Sequence, residues 1–294
     1  MQLRLLFKLV VLRDNSRRGN SNNQRFGLRD SSFFSNKHNE KTDMKEINTG
    51  KHKLEIYDSI EDMPVARHHK FNKMLLIDSG IGSDLKDINT KIERVMRFMK
   101  DKDKQEFAVT ELQNLRQCIN FIQSELSPKH LAFCALVKSI DGVEYTDISD
   151  DGLQTLQKEL KKIEITENDL TSQLGEVKKK TEEQLTAYFP DVIEDAEIKE
   201  YYDRQKERTL LRLKEIIEGK EQKEKIEELT NLLVTFIKPI KFEGKDNAEI
   251  KYDKEFENGC LLISQQLNRN AKEMSVLEYY QAFEYIKKMN KRSK

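Results

Sequence analysis

The strongest constraint on the fold is a run of apolar residues at helical spacing that begins directly after Asp84. The sequence places Leu85, Ile88, Ile92, Val95, Met96 and Met99 at positions i, i+3, i+7, i+10, i+11 and i+14. This spacing is that of one face of an α-helix, and Ser83 or Asp84 is suited to cap its first turn. The pattern predicts a helix from residue 85 onwards, within a compact helical core over about residues 60–140.

A distinctive stretch, Met63–Asp84, leads into this helix and reads MPVARHHKFNKMLLIDSGIGSD. Pro64 suits the first position of a helix, since its missing N–H would be unpaired there anyway, and we expect that helix to run to about Ile77. The glycines that follow predict an interhelical loop over residues 78–84. The residues assigned to this structural turn are Gly80, Gly82, Ser83 and Asp84.

The spacing of Gly80 and Gly82 is also found in nucleotide-binding loops, but the neighbouring residues do not complete such a motif. A dinucleotide-binding fingerprint needs a third glycine where Leu85 stands, and a P-loop needs Gly-Lys-Ser/Thr, which is absent. Carboxylates at Asp78, Asp84 and Asp87 leave a weak cation site open, although they lack the spacing of a calcium loop. We expect a turn between helices, with a metal-dependent hydrolase or nuclease as a minor alternative.

Composition favours an all-α fold with long solvated helices. Charged residues make up 35% of the chain, which has only 11 Gly, 4 Pro and no Trp. Further helices are expected over about residues 104–126, 129–139, 166–189, 191–218, 226–238, 250–267 and from 275 onwards, and one more is capped by residues 149–151. Short extended segments are expected at 53–60 and 143–148. The predicted fold is all-α: a compact helical core with a long antiparallel, coiled-coil-like helical arm and room for one minor two-stranded element.

Changes in composition divide the chain into four predicted segments. Residues 1–43 carry nine Lys/Arg against four Asp/Glu and are rich in Ser and Asn, which predicts a disordered basic extension. Three origins fit this extension: translation from a start upstream of the functional Met44, a flexible basic arm, or an organelle transit peptide. The other segments are a helical core domain at 44–162, the helical arm at 163–239 and a C-terminal helical pair at 240–294.

The histidines and cysteines do not form a recognisable cofactor or metal site. His68 and His69 are adjacent, so on a helix they point about 100° apart, and we expect one to pack inward and the other to face solvent. His130 and Cys134 stand at i and i+4 but lack the two further ligands of a closed zinc site. We expect no cofactor, no metal and no enzymatic activity, since no catalytic signature is legible. A reducing compartment is favoured by the scattered cysteines Cys118, Cys134 and Cys260.

The last predicted helix ends in a basic tail that is a candidate for partner contact. Its cations include Lys287, Lys288, Lys291 and Arg292, and the aromatic residues Tyr279, Tyr280, Phe283 and Tyr285 precede them. The chain after residue 43 is net acidic, which makes broad binding to a nucleic-acid backbone an unfavoured interpretation. A nucleic-acid-associated regulatory protein that uses basic termini is the alternative hypothesis.

No apolar run is long enough to span a bilayer, so no membrane contact is expected.

Two runs of the sequence resemble a known group of proteins. They read IYDSIEDMPVARHHKFNKMLLIDSGIGSD and LSPKHLAFCALVKSIDGVEYTDISDDGL, at residues 56–84 and 126–153. Over roughly residues 54–160 the chain resembles uncharacterised structural-region proteins of tailed phages, particularly the crAss-like and related phages of gut Bacteroidales. A second likeness, to a helical end module of small phage assembly proteins, covers residues 256–290.

This resemblance implies a non-enzymatic virion component or assembly factor that acts through helical protein–protein surfaces. The implied partners are other virion or assembly proteins, or further copies of the chain. The implied location is the virion or the host cytoplasm. Since the resembling motifs carry no known chemistry, they imply no catalytic residues.

Overall fold

The computed structural model describes residues 45–49, 51–163, 165, 167–190, 196–219, 221–236 and 238–292. These residues form ten α-helices and one small antiparallel sheet. The expectation of a mainly helical chain is thus confirmed. The predicted basic extension at 1–43, and Met44 after it, lie outside the described residues.

The helices follow the predicted pattern, with shifts at their ends. Their bounds are α1 Val65–Gly80, α2 Leu85–Met99, α3 Gln105–Gln123, α4 Pro128–Leu136, α5 Asp150–Lys162, α6 Glu167–Tyr188, α7 Ala196–Glu218, α8 Lys223–Phe236, α9 Ala248–Leu267 and α10 Val276–Arg292. α1 continues beyond Ile77 because the N–H groups of Ile81 and Gly82 donate to the carbonyls of Ile77 and Asp78, at 2.7 and 2.8 Å. Gly80 is therefore the last residue of α1 and not part of a loop.

In the described part of the chain, no helix combines the length and the apolar character needed to cross a membrane.

Four strands form the sheet, where the sequence had predicted a two-stranded element at most. They are β1 (Lys45–Thr49), β2 (His52–Ile56), β3 (Val137–Ile140) and β4 (Val143–Glu144), paired antiparallel in that order. β3 follows α4 without a break, inside an apolar run that periodicity cannot divide into helix and strand. The sequence of β1, KEINT, contains a single apolar residue, so the strand leaves almost no pattern. The two-stranded prediction was wrong for these reasons.

One apolar cluster connects most of the elements. Leu54 and Ile56 of β2 are fully buried in it, as are residues 132–136 of α4. α6 contributes Val177 and α9 contributes Ile263. The cluster therefore extends through the predicted core domain, the first helix of the predicted arm and the C-terminal pair. Among the described residues, none of its members lies in α7 or α8.

Backbone hydrogen bonds join the N-terminal ends of α1 and α10. Val65 N donates to Met274 O and Val276 N donates to Met63 O, both at 2.9 Å. α10 also begins with the capping box expected from its sequence: Glu278 N donates to Ser275 Oγ (3.3 Å) and Ser275 N donates to Glu278 Oε2 (3.2 Å). The stretch that opens α1 is thus held directly to the C-terminal helix.

Arg67 of α1 is a buried cation whose role the sequence pattern does not reveal. Its Nη1 donates to the carbonyls of Ala135 (3.1 Å) and Val137 (2.8 Å), and its Nη2 donates to that of Tyr145. The guanidinium carbon also lies 5.4 Å from the centre of the Tyr57 ring. Carbonyls at a helix end need donors from elsewhere. Arg67 supplies them at the point where α4 passes into β3, and so ties α1 to the sheet.

We expect Arg67→Met to lower the free energy of unfolding by roughly 3 kcal/mol, because three carbonyls lose a buried charged donor. Denaturant unfolding followed by circular dichroism measures this change. Arg204→Met is the matched control, since Arg204 forms a surface i, i+4 pair with Glu200 and should cost less than about 0.5 kcal/mol. Equal losses in the two variants would contradict the role assigned to Arg67.

Candidate functional site

The turn between α1 and α2 is closed by its own carboxylates. Gly82 has a φ of +80°, and a Cβ there would lie 2.5 Å from the Cβ of Asp87, so this position requires glycine. Asp84 Oδ1 accepts from Asp87 N (2.9 Å), while Asp87 Oδ2 accepts from the backbone N–H groups of Ser83 (3.0 Å) and Asp84 (3.4 Å). Asp87 therefore occupies the backbone donors that a bound phosphate would use.

The other acidic groups of this turn contact a hydroxyl and a lysine. Ser83 Oγ donates to Asp78 Oδ1 at 3.0 Å. Lys129 Nζ of α4 lies 3.2 Å from Asp84 Oδ2 and 3.9 Å from Asp78 Oδ1. Within the described ranges, no three His, Cys, Asp or Glu side chains are arranged to hold a metal ion. What the carboxylates do in this structure is join α1, α2 and α4.

Gly80 is a close-packing position between three parts of the chain. A Cβ on Gly80 would lie 2.4 Å from Cε2 of Phe242, so the ring lies directly against the helix backbone. The Gly80 carbonyl accepts from Lys91 Nζ at 2.5 Å. Lys91 Nζ in turn lies 3.4 Å from Glu111 Oε1 of α3, and both charged side chains are buried. The end of α1 is thereby connected to α2, to α3 and to the segment before α9.

Both histidines of α1 are largely buried, so the expectation that one would face solvent was wrong. The ring of His69 is stacked between Tyr252 and Phe256 of α9, with centroid distances of 4.4 and 4.0 Å and interplanar angles of 13° and 11°. His69 Nε2 lies 2.9 Å from Asp253 Oδ1, and Asp253 Oδ2 accepts from Lys73 Nζ at 2.6 Å. A histidine and a carboxylate are the elements of a general base, but aromatic rings cover both faces of this imidazole. The arrangement joins α1 to α9.

Burial sets the protonation of these histidines. It lowers the pKa of His69, and the hydrogen bond to Asp253 offsets part of that effect. Burial alone would raise the pKa of Asp253, but hydrogen bonds from His69 and Lys73 outweigh it and hold that pKa below its usual range. Burial, and then the charge of His69, lowers the pKa of His68 to about 4. His68 is therefore neutral at pH 7.

His130 contacts a glutamine side chain, and the three cysteines are buried. His130 Nδ1 lies 3.3 Å from the Gln157 side-chain amide. Cys134 is fully buried, and burial raises the pKa of its thiol to about 12, which disfavours the thiolate that metal binding requires. Cys118 and Cys260 are likewise buried thiols.

The basic tail forms the last turns of α10. Lys287 and Lys288 are exposed, and Lys288 Nζ lies 3.5 Å from Glu284 Oε2. The side chains of Lys291 and Arg292 lie outside the described part of the chain. Of the aromatic residues beside them, those buried are Tyr279 and Tyr280. Partner contact through this tail stays a prediction.

Four of the six apolar residues that predict α2 face solvent, although the sequence pattern had suggested that they belong to the core, while Ile88 packs against the core cluster. The residues of α2 that are buried are Asp87, Lys91 and Phe98, whereas Leu85 and Met96 are 72% and 61% exposed. α3 carries a second exposed apolar row. We call the two rows together the α2–α3 face: Leu85, Ile92, Met96 and Met99 of α2 with Val109, Leu112 and Ile119 of α3.

Another exposed apolar row lies on α7. This α7 stripe consists of Leu210, Leu213, Ile216 and Ile217, at positions i, i+3, i+6 and i+7. Ile216 and Ile217 are 79% and 80% exposed, and the helix ends just before Gly219, which has a φ of +65°. Contiguous exposed apolar rows mark contact surfaces in soluble proteins. The α2–α3 face and the α7 stripe are therefore the candidate functional sites.

We expect His68 to make stability depend on pH. Its folded-state pKa of about 4 lies below the ordinary value of 6.5, so the folded chain binds fewer protons, and stability is lost as pH falls through this window. The loss between pH 7 and pH 4 should reach at most about 3 kcal/mol.

His68→Gln removes this titration, so its free energy of unfolding should fall less than that of the wild type over the same pH range. The exposed, non-titrating Asn89 provides the control variant Asn89→Gln, which should keep the wild-type slope. Parallel pH profiles for the wild type and His68→Gln would refute the assignment.

Comparison of the chain with protein-family models, with curated protein sequences and with solved structures gave no match. The proposed function therefore rests on the residues and surfaces of this chain and on the sequence resemblance over residues 54–160.

Proposed function

We propose that the protein is a non-enzymatic structural or assembly protein that acts through exposed apolar helix surfaces. The observation that carries this proposal is the α7 stripe, whose last two isoleucines are the most exposed large apolar residues of the described chain. A row of apolar side chains at helical spacing fits a partner helix or an apolar groove, which are common modes of recognition between proteins.

The position of α7 supports this role. α8 packs against α7, and α8 is also linked to α2, where Arg97 Nη1 of α2 donates to Glu227 Oε1 (2.9 Å) and to the side-chain oxygen of Asn231. These contacts hold the hairpin of α7 and α8 through α8. α7 contains 23 residues, which corresponds to about 35 Å of helix. An apolar row of about two turns, over residues 210–217, is thus presented near the end of an anchored helix.

The two helices are what we propose as the antiparallel, coiled-coil-like arm. The apolar residues of α8 at Ile226, Leu229 and Leu233 follow the i, i+3, i+7 spacing of such an arm. Leu233 is buried, while Ile216 and Ile217 of α7 are left for another chain. In this arrangement the apolar residues of α8 pack within the hairpin, and the exposed apolar residues of α7 contact the partner.

The proposed setting is a phage particle or its assembly pathway, in the virion or the host cytoplasm. Support for this setting comes from the sequence resemblance over residues 54–160. The proposed partners are other virion or assembly proteins and further copies of the chain. Zero formal net charge fits contacts that depend on apolar area more than on charge.

We expect the α7 stripe to be needed for incorporation into particles. Mass spectrometry of purified particles from the phage that encodes the chain should detect the wild type. The double variant Ile216→Lys/Ile217→Lys should be depleted at least about tenfold, since two charges would have to be buried at the contact.

The control for this experiment is Ile250→Lys, which places the same charge on an exposed apolar position of α9. It should be incorporated like the wild type. Absence of the wild-type chain from both particles and assembly intermediates would refute the proposed function. Equal depletion of the control would refute the role of the α7 stripe.

A further inference from the structure

The hairpin of α2 and α3 buries several polar residues and exposes a set of large apolar ones, while Phe98, Ala108 and Cys118 are buried as well. Lys91 and Glu111 are 4% and 2% exposed. Asn114 of α3 is 1% exposed, and its side chain donates to the carbonyl of Ile240 at 2.9 Å. The seven members of the α2–α3 face are 39–72% exposed. A soluble chain normally distributes these residue types the other way round. Such an inversion is stable when another apolar surface covers the outer face.

Both apolar rows lie on the same side of this hairpin. α2 and α3 touch through Lys91 and Glu111, and through Phe98 and Phe107, whose ring centroids are 5.7 Å apart. In three cases the exposed residue follows the contact residue by one position: 92 follows 91, 99 follows 98 and 112 follows 111, whereas Ala108, which follows Phe107, is buried. One position is a rotation of about 100°. In antiparallel helices that face each other, the same rotation turns both rows towards the same side.

The spacing within each row is that of a helix-bundle seam. Leu85, Ile92, Met96 and Met99 of α2 are separated by steps of seven, four and three residues. Val109, Leu112 and Ile119 of α3 are separated by steps of three and seven. This is the pattern of positions that pack between helices in coiled coils and four-helix bundles. Two antiparallel helices with such rows on one side are half of a four-helix bundle.

The size of the face suits a pair of identical chains. Seven large apolar side chains that are 39–72% exposed present on the order of 700 Å², close to the roughly 800 Å² that each partner contributes to an interface of standard size. Exposed residues beside the rows include Lys86, Asn89 and Glu93 of α2 with Arg116 and Gln123 of α3. Charges of both signs among them give little net repulsion between two copies.

From these observations we infer that the α2–α3 face is the interface of a homodimer, in which two hairpins close a four-helix bundle about a twofold axis. An isologous contact of this kind needs one self-complementary patch, which the two parallel rows provide. This dimer adds to the proposed function by naming the partner of one surface. The dimer itself does not depend on the proposed function, but its role in assembly rests on it. The α7 stripe stays available to other proteins.

Light scattering coupled to size exclusion tests the interface in the full chain. The wild type should approach twice the single-chain mass of 34.7 kDa at about 100 μM and dissociate on dilution. Ile92→Lys/Met96→Lys should elute as a single chain, with a dissociation constant raised at least about a hundredfold. Since both positions are exposed in the single chain, the variant should keep the circular dichroism spectrum of the wild type.

The matched control is Ile250→Lys/Leu261→Lys, which charges two exposed apolar positions of α9 and should leave the dimer intact. In a second measurement, Ile92→Cys should form an intermolecular disulfide under mild oxidation, whereas Ile250→Cys should not. The three native cysteines are buried and should not compete.

Three outcomes overturn the inference: a wild type that is a single chain at every concentration, a dimer that Ile92→Lys/Met96→Lys leaves intact, or a dimer that the control disrupts equally. A wild type that stays a single chain yet enters particles would remove this interface and leave the proposed function standing. A dimer that is absent from particles and their intermediates would do the reverse.

Discussion

The rotation of α2 about its own axis depends on a small cluster of buried charges. Lys91 Nζ donates to the carbonyl of Gly80 at 2.5 Å and lies 3.4 Å from Glu111 Oε1, while Arg94 Nε lies 3.2 Å from the same carboxylate oxygen. A buried charge is tolerated only when it is paired and hydrogen-bonded. Turning the apolar row of α2 inward would separate these partners, so the row stays at the surface. The proposed contacts with other chains follow from this one constraint.

The stretch Met63–Asp84 contacts α2, the junction of α4 and β3, α9 and the start of α10. Arg67 reaches the junction of α4 and β3, His69 is stacked against α9, and Gly80 receives both Phe242 and Lys91. Its first residues are hydrogen-bonded to the start of α10. These contacts join segments far apart in sequence, and through Gly80 and Lys91 they help to hold the hairpin of α2 and α3. The glycines act as close-packing and turn positions there.

The helices could be predicted from the sequence because their apolar spacing and caps are local, as in α2 and at Ser275. Gly82 could be predicted as a turn position for the same reason. The outward orientation of the α2 row could not, because it depends on Glu111, which is 20 residues away from Lys91. The strand after α4 and the stacking of His69 also depend on partners distant in sequence. The available signal was a charged residue, such as Lys91 or Arg67, within a helix that also carries apolar residues at helical spacing. This signal does not by itself tell whether the charge is buried.

The central claim is that the rows of α2 and α3 face outward in one chain and are covered when two chains meet. Methyl NMR of labelled methionines with a soluble paramagnetic probe tests it most directly, with Met96 and Met99 as reporters and the buried Met63 and Met74 as references. We predict that the reporters are protected like the references in the concentrated wild type and are broadened by the probe in Ile92→Lys. Reporters that are broadened in the concentrated wild type, or protected in both proteins, would contradict the account.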